Sequence, residues 1–214
     1  MQSGRISRVE ERVYRHWYED GLGELTSGGL FLLFAFYFGG HAWLEKGSLT
    51  GRLLLDGGLI VLLICGILTT RWLLGTMKAH LTYPRTGYVE LNSRERVSLN
   101  RALTTLVGMV GAILVFLLGK AAGSYGWAPV AVGLLFGIVY LLVAIKSGGL
   151  RRFYFLSAFS ALLGLGLWFS LLLVTFNLAL FYTVLGLLSM ISGGVTLTRF
   201  LKEHPIPAES DDEQ

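Results

Sequence analysis

Six times along its 214 residues the sequence turns apolar for about the twenty positions that a helix needs to cross the hydrocarbon of a bilayer. Inside lipid every backbone N–H and C=O must pair within its own segment, so such runs can only be helices. They fall near Leu25–Leu44, Leu53–Leu74, Ala102–Lys120, Trp127–Ile145, Phe153–Val174 and Leu178–Phe200. Charged residues make up 15% of the chain, against about 25% in a soluble domain, and mean hydropathy is +0.61. The expectation is an all-α integral membrane protein with six transmembrane helices. Only Thr175-Phe176-Asn177 separates the last two runs, which predicts a tight helical hairpin there.

The positions of Lys and Arg orient the chain, because short cytoplasmic loops hold an excess of them. With six spans, fifteen of the eighteen fall on the side that receives both termini and the second and fourth loops; Lys46, Arg52 and Lys120 fall on the other. The termini are therefore expected in the cytoplasm. Trp17 and Trp72 sit at the inner interface and Trp43 and Trp127 at the outer one, as an aromatic belt requires, while Trp168 reads as a packing residue. The formal net charge of +4 reflects this asymmetry and gives no reason to invoke nucleic acid.

Residues 1–20 read as an amphipathic helix lying on the inner membrane surface. Ile6, Val9, Val13 and Trp17 form its apolar stripe, among Arg5, Arg8, Arg12 and Arg15, which anionic headgroups attract. Residues 21–200 form the six-helix domain with a cytoplasmic loop at 75–101. Residues 201–214, with Pro205, Pro207 and an acidic cluster, read as a disordered cytoplasmic tail. No cleavable signal peptide is recognisable, and the two halves share no clear repeat.

Charges within a span are costly and attract functional suspicion. Asp56 is the acidic residue most clearly inside a run, near its outer end. With His41, Glu45 and Lys120 it forms a candidate outer polar cluster, either an interfacial pairing or a proton- or cation-coupling site. At the inner side "EDGLGE" supplies Glu19, Asp20 and Glu24, with Arg71, Arg151 and Arg152 expected at similar depth. An ion-pair network is the simpler account; no histidine or cysteine accompanies these carboxylates to hold a metal. HExxH, GxSxG and Walker patterns are absent, so no catalytic or cofactor-binding residue is assigned. The single cysteine, Cys65, excludes an intramolecular disulfide and reads as a small apolar residue.

Small residues permit close helix approach in lipid. The candidates are Gly28 and Gly29, Gly57 and Gly58, Gly108 and Gly111, Gly133 with Gly137, then Ser157, Ala161 and Gly164, and Gly186, Ser189, Gly193 and Gly194. They suit packing within the bundle, with a homo-oligomer as the other use of GxxxG.

The one long polar stretch, residues 78–96, contains Leu81-Thr82-Tyr83 and Tyr88-Val89, which favour strands, around Pro84-Arg85-Thr86-Gly87, which favours a turn. It predicts a short β-hairpin or tight loop with Arg85 at the tip. Tyr83, Pro84, Arg85, Gly87 and Tyr88 are then candidate contacts for a partner or lipid.

"LTYPRTGYVEL" and "YEDGLGELTSGGLFLL" together resemble uncharacterised bacterial multi-span membrane proteins that share a Tyr-Pro-Arg-x-Gly-Tyr-Val loop. The resemblance implies a bacterial cytoplasmic-membrane protein and carries over no catalytic residue. The layout is also similar to that of ABC-2 type transporter membrane subunits, with an interfacial helix, six spans and a cytoplasmic segment after the second, although no residue motif matches. The expected role is that of a non-enzymatic subunit or accessory of a larger membrane assembly. Its partners are the lipid bilayer and a cytoplasmic or membrane protein. The alternative is a transporter permease, driven by a separate ATPase or ion-coupled through Asp56.

Overall fold

A computed structural model describes residues 18–44, 49–86, 126–170 and 172–205, without the side chains of residues 41–57, 59, 60 and 86. All the elements are helical: α1 Leu22–Leu44, α2 Leu49–Met77, α3 Tyr83–Thr86, α4 Ala128–Lys146, α5 Arg151–Trp168 and α6 Val174–Glu203. Among the described residues, four segments are long and apolar enough to cross a membrane: Leu22–Gly40, Val61–Arg85, Ala128–Lys146 and Val174–Glu203. The expected fifth span is the helix α5, but the two arginines that open it leave it outside this set. The expected third span, Ala102–Lys120, lies outside the described residues, as does most of the N-terminal amphipathic helix.

Where small residues fall decides which helices touch. The closest neighbours are α1 with α6 and α4 with α5. Along the antiparallel α1–α6 contact, Gly21 lies against Gly193 and Gly28 against Gly186, a seven-residue step on both helices. A Cβ at Gly28 would come within 2.8 Å of the Gly186 carbonyl oxygen, and one at Gly193 within 2.7 Å of that of Gly21. Between α4 and α5, Gly133 meets Gly164 and the Ser160 carbonyl, and Gly137 meets the Ser157 carbonyl and Ala161. The hydroxyls of Ser160 and Ser157 donate to the carbonyls of Gly133 and Gly137 at 3.0 and 2.7 Å. The Gly133/Gly137 pair is thus filled from within the chain. Around these seams Phe31, Phe34, Phe136, Phe181 and Tyr182 build an aromatic core, with Phe38 stacked on Tyr182 at 5.5 Å.

The expected tight hairpin is displaced. Thr175-Phe176-Asn177 belongs to the first turn of α6, and the reversal lies upstream, between Trp168 and Val174. The buried Asn177 side chain still shapes that reversal: its amide donates toward the carbonyls of Leu167 and Leu172, and Ser170 Oγ donates to its Oδ1 at 2.7 Å. The closely packed hairpin is instead α4–α5. It turns through Gly148 and Gly149, both at positive φ (73° and 81°). The Gly149 N–H returns to the Ala144 carbonyl at 2.9 Å, the bond of a Schellman helix end, which only glycine enters cheaply. Trp168, expected in the packing, is 53% exposed at the end of α5, where an interfacial indole belongs.

Residues 78–86 are helical, so the predicted β-hairpin does not form there. After Met77 the chain makes one π-helical turn, Lys78–Thr82, and continues into α3. The Tyr83 N–H reaches back five residues to the Lys78 carbonyl. Pro84 explains the wider turn. It has no N–H, and in a regular α ladder its ring would strike the carbonyl of His80; slipping the register by one residue relieves this. Gly87 and Tyr88, the rest of the candidate loop, lie outside the described residues.

Candidate functional site

The start of α1, the end of α2 with its π turn, the start of α5 and the end of α6 meet at one end of the bundle. Most of the basic residues of the described chain sit there, so we call it the basic end. Two carboxylates are buried in it. Asp20 is fully buried just before α1, and Glu24 is 3% exposed in the first turn. Gly21, at φ 71°, lets the chain swing into the helix while lying against α6.

Asp20 uses both oxygens. Oδ1 accepts from the Leu22 N–H at 3.1 Å, capping α1. Oδ2 takes the Lys78 ammonium at 3.1 Å and the Thr82 hydroxyl at 3.3 Å. Lys78 and Thr82 are themselves buried, 3% and 5% exposed. The pair therefore ties α1 to the π turn away from water, where losing either charge is expensive.

Glu24 ties α1 to two further helices. Oε1 lies 2.8 Å from Arg152 Nε on α5, and Oε2 accepts from Ser192 Oγ on α6 at 2.7 Å. The Arg152 N–H is not aligned with Oε1, so this is a charge contact rather than a formed hydrogen bond. Arg152 Nη2 donates to the Tyr18 carbonyl, and its guanidinium lies over the Phe153 ring at 5.1 Å. Further into the bundle, the Tyr140 and Ser189 hydroxyls meet at 3.1 Å, Ser189 being one turn from Ser192 on α6. A line of polar side chains thus enters the bundle from Glu24.

Arg85 closes the end. Its Nη1 donates to the carbonyls of Leu201 and His204 at 3.2 and 2.8 Å, two of the last acceptors of α6. A guanidinium at a helix C-terminus satisfies carbonyls that have no intrahelical donor and opposes the negative end of the dipole. The residue expected at the tip of an exposed turn is therefore turned onto α6.

Of the inner residues expected together, Glu24 and Arg152 meet directly. Arg71 is exposed on α2 and takes no part in this network, and Arg151 faces outward at the start of α5. Lys78, Thr82 and Ser192 were not foreseen as partners. For Lys78 the available signal was the unbroken helical sequence from Trp72 through Met77. Of the outer cluster, Glu45 and Lys120 lie outside the described residues, as do the side chains of His41 and Asp56. Among the described residues no group of three or more His, Cys, Asp or Glu side chains is arranged to hold a metal.

Long apolar helices joined through small residues, with bare apolar outer faces such as Ile64, Leu68 and Trp72 on α2, are compatible with a multi-pass membrane protein. No known protein family matches the sequence, and no curated protein or solved structure compared with it matches either.

Proposed function

We propose that the chain is a six-helix, multi-pass membrane protein with no catalytic chemistry of its own, serving as a subunit or accessory of a larger membrane assembly. One observation carries this reading. The buried polar side chains of the basic end are occupied with one another and with helix ends, joining four helices. Such a network favours a rigid scaffold over a reactive site.

Parity supports six spans. Thr86 lies at the basic end, whereas Gly126 precedes α4 at the opposite end, about 28 Å away for a nineteen-residue helix. An odd number of crossings fits these two ends, and the apolar run Ala102–Lys120 is the proposed crossing. The excess of Lys and Arg argues that the basic end and both termini face the cytoplasm, and the resemblance argues for a bacterial inner membrane. The segment from Tyr83 through Tyr88 is the proposed contact for a partner, with Pro84 exposed and Arg85 holding the segment on α6.

Purification from native membranes in mild detergent tests the role. A stoichiometric membrane-protein partner supports the accessory reading; a stoichiometric ATPase replaces it with a permease. The second reading, an ion-coupled carrier, is favoured by the buried Glu24 carboxylate and the hydroxyls of Ser192, Ser189 and Tyr140 leading inward from it. Ion-dependent uptake by the protein alone, abolished by Glu24→Gln or Asp56→Asn, would establish that reading in its place.

A further inference from the structure

The basic end also carries an open groove of about 570 Å³ between the first turn of α5 and the last turns of α6. That volume is within the range of small-molecule sites. Its charges are mixed in a particular way. Arg151 and Arg152 come from α5 and Arg199 from α6, while Glu19 and Glu203 line the same groove, and Phe200 supplies an apolar wall. Arg151, Arg199 and Glu203 are exposed; Arg152 is held at the edge by Glu24 and the Tyr18 carbonyl.

The start of α5 adds a further attraction for anions. Leu150 occupies the N-cap and offers no side-chain acceptor, so the first amides of α5 are not capped by it. Guanidinium forks beside such a helix start suit a phosphate ester. The two carboxylates argue against a ligand that is only anionic, which would be repelled by them. A ligand with a phosphodiester and a primary ammonium a few bonds apart answers both charge types. Depth agrees, because α4 ends at Lys146 and α6 at Glu203, which places the groove where spans leave the hydrocarbon and lipid headgroups lie.

We propose that this groove binds the zwitterionic headgroup of an aminophospholipid, with the phosphodiester on Arg151, Arg199 and the start of α5 and the ammonium on Glu203. The occupant would bridge α5 and α6, which touch each other little in the described bundle.

The test uses the full-length protein, delipidated in detergent, with thermal unfolding followed by tryptophan fluorescence. Ligands are mixed micelles of phosphatidylethanolamine, phosphatidylcholine or phosphatidylglycerol, and inorganic phosphate alone. Binding to the folded state raises Tm in proportion to occupancy. Phosphatidylethanolamine should raise Tm by several degrees. Phosphatidylcholine, whose ammonium has no N–H, and phosphatidylglycerol, which has none, should raise it less. Arg199→Ala and Glu203→Gln should each remove the phosphatidylethanolamine increment; because both sites are exposed, the lipid-free Tm should stay unchanged. Equal or greater stabilisation by phosphatidylglycerol would mean general attraction of anions and overturn the proposal. So would an equal effect of inorganic phosphate, retention of the increment in both variants, or no increment with any lipid.

Discussion

Asp20 and Lys78 are the residues whose loss the fold should feel most. Each is almost wholly buried, and each is the other's counter-charge at 3.1 Å. Lys78→Met leaves a carboxylate buried without its cation, at a cost of about 3–5 kcal/mol. Removing both charges with Asp20→Asn and Lys78→Met leaves neither orphaned, so the double variant should be more stable than Lys78→Met alone. Denaturant unfolding in detergent across the four-member cycle measures this; a double variant as unstable as the two single losses added together would mean that the pair does not couple. Arg85 makes a smaller, local contribution. Arg85→Ala removes two charge-assisted bonds from a half-buried site, about 1–2 kcal/mol after allowing for solvent. The end of α6 should fray, and tryptic cleavage after Arg199 and Lys202 should accelerate while the rest of the bundle resists.

At the scale of helices, small residues discriminate sharply between adjacent positions. A Cβ at Gly28 would come within 2.6–2.9 Å of Met190 and of the α6 backbone, whereas at Gly29 nothing lies within 4 Å. Gly28→Ala should therefore lower Tm through overpacking of about 1–3 kcal/mol, and Gly29→Ala should leave it unchanged or raise it by improving helix propensity. Equal effects at the two sites would disprove the α1–α6 register. Gly133, Gly137, Ser157, Ala161 and Gly164 were legible as packing residues from their small size and helical spacing, but which of them face one another was not. Nor did the sequence reveal that Gly21 is also a contact. A glycine after Asp20 reads as a helix breaker, and here one residue both turns the chain and lets α6 approach. The polar stretch after Met77 misled for a related reason. Proline and glycine among tyrosines have turn chemistry, but a single π turn lets the helix absorb Pro84, and tertiary pairing of Lys78 with Asp20 rewards the continuation. The inner carboxylates were recognisable in "EDGLGE"; Lys78, the partner of Asp20, was hidden by the loop reading.

The whole molecule has two sides of unlike charge. α1, α5 and the chain after Met77 all place charged residues at the basic end, and the described helices alternate in direction. With Cys65 first replaced by Ser, cysteines introduced by His80→Cys and Glu203→Cys should share one accessibility to an impermeant thiol reagent on intact cells. Cysteines from Ser48→Cys and Ser124→Cys should show the opposite. The expected pattern is labelling at 48 and 124 and protection at 80 and 203. Labelling of 80 with 203 would reverse the orientation while keeping the spans, and labelling of 80 with 124 would remove the crossing between them. That the chain folds into long apolar helices was legible from apolar length. The ends were not, because hydropathy carries no information about where a helix stops once it leaves the lipid: α2 runs from Leu49, four residues ahead of the apolar run, and continues through the π turn as far as Thr86.

The principal partner of α1 is α6, and the Ser192–Glu24 bond joins residues 168 positions apart. At translation rates of about 5–20 residues per second, roughly 10–30 s pass between synthesis of the first helix and that of its mate. For much of that interval the glycine face of α1 lacks its α6 neighbour, whereas Asp20 can already find Lys78 and Thr82, and α4 and α5 can close on each other through their four-residue turn. The nascent chain therefore matures as an early hairpin and a waiting helix, with the late-made α6 acting as the clasp. Until α6 arrives, the face of α1 that ends against Gly186 and Gly193 is open to other companions.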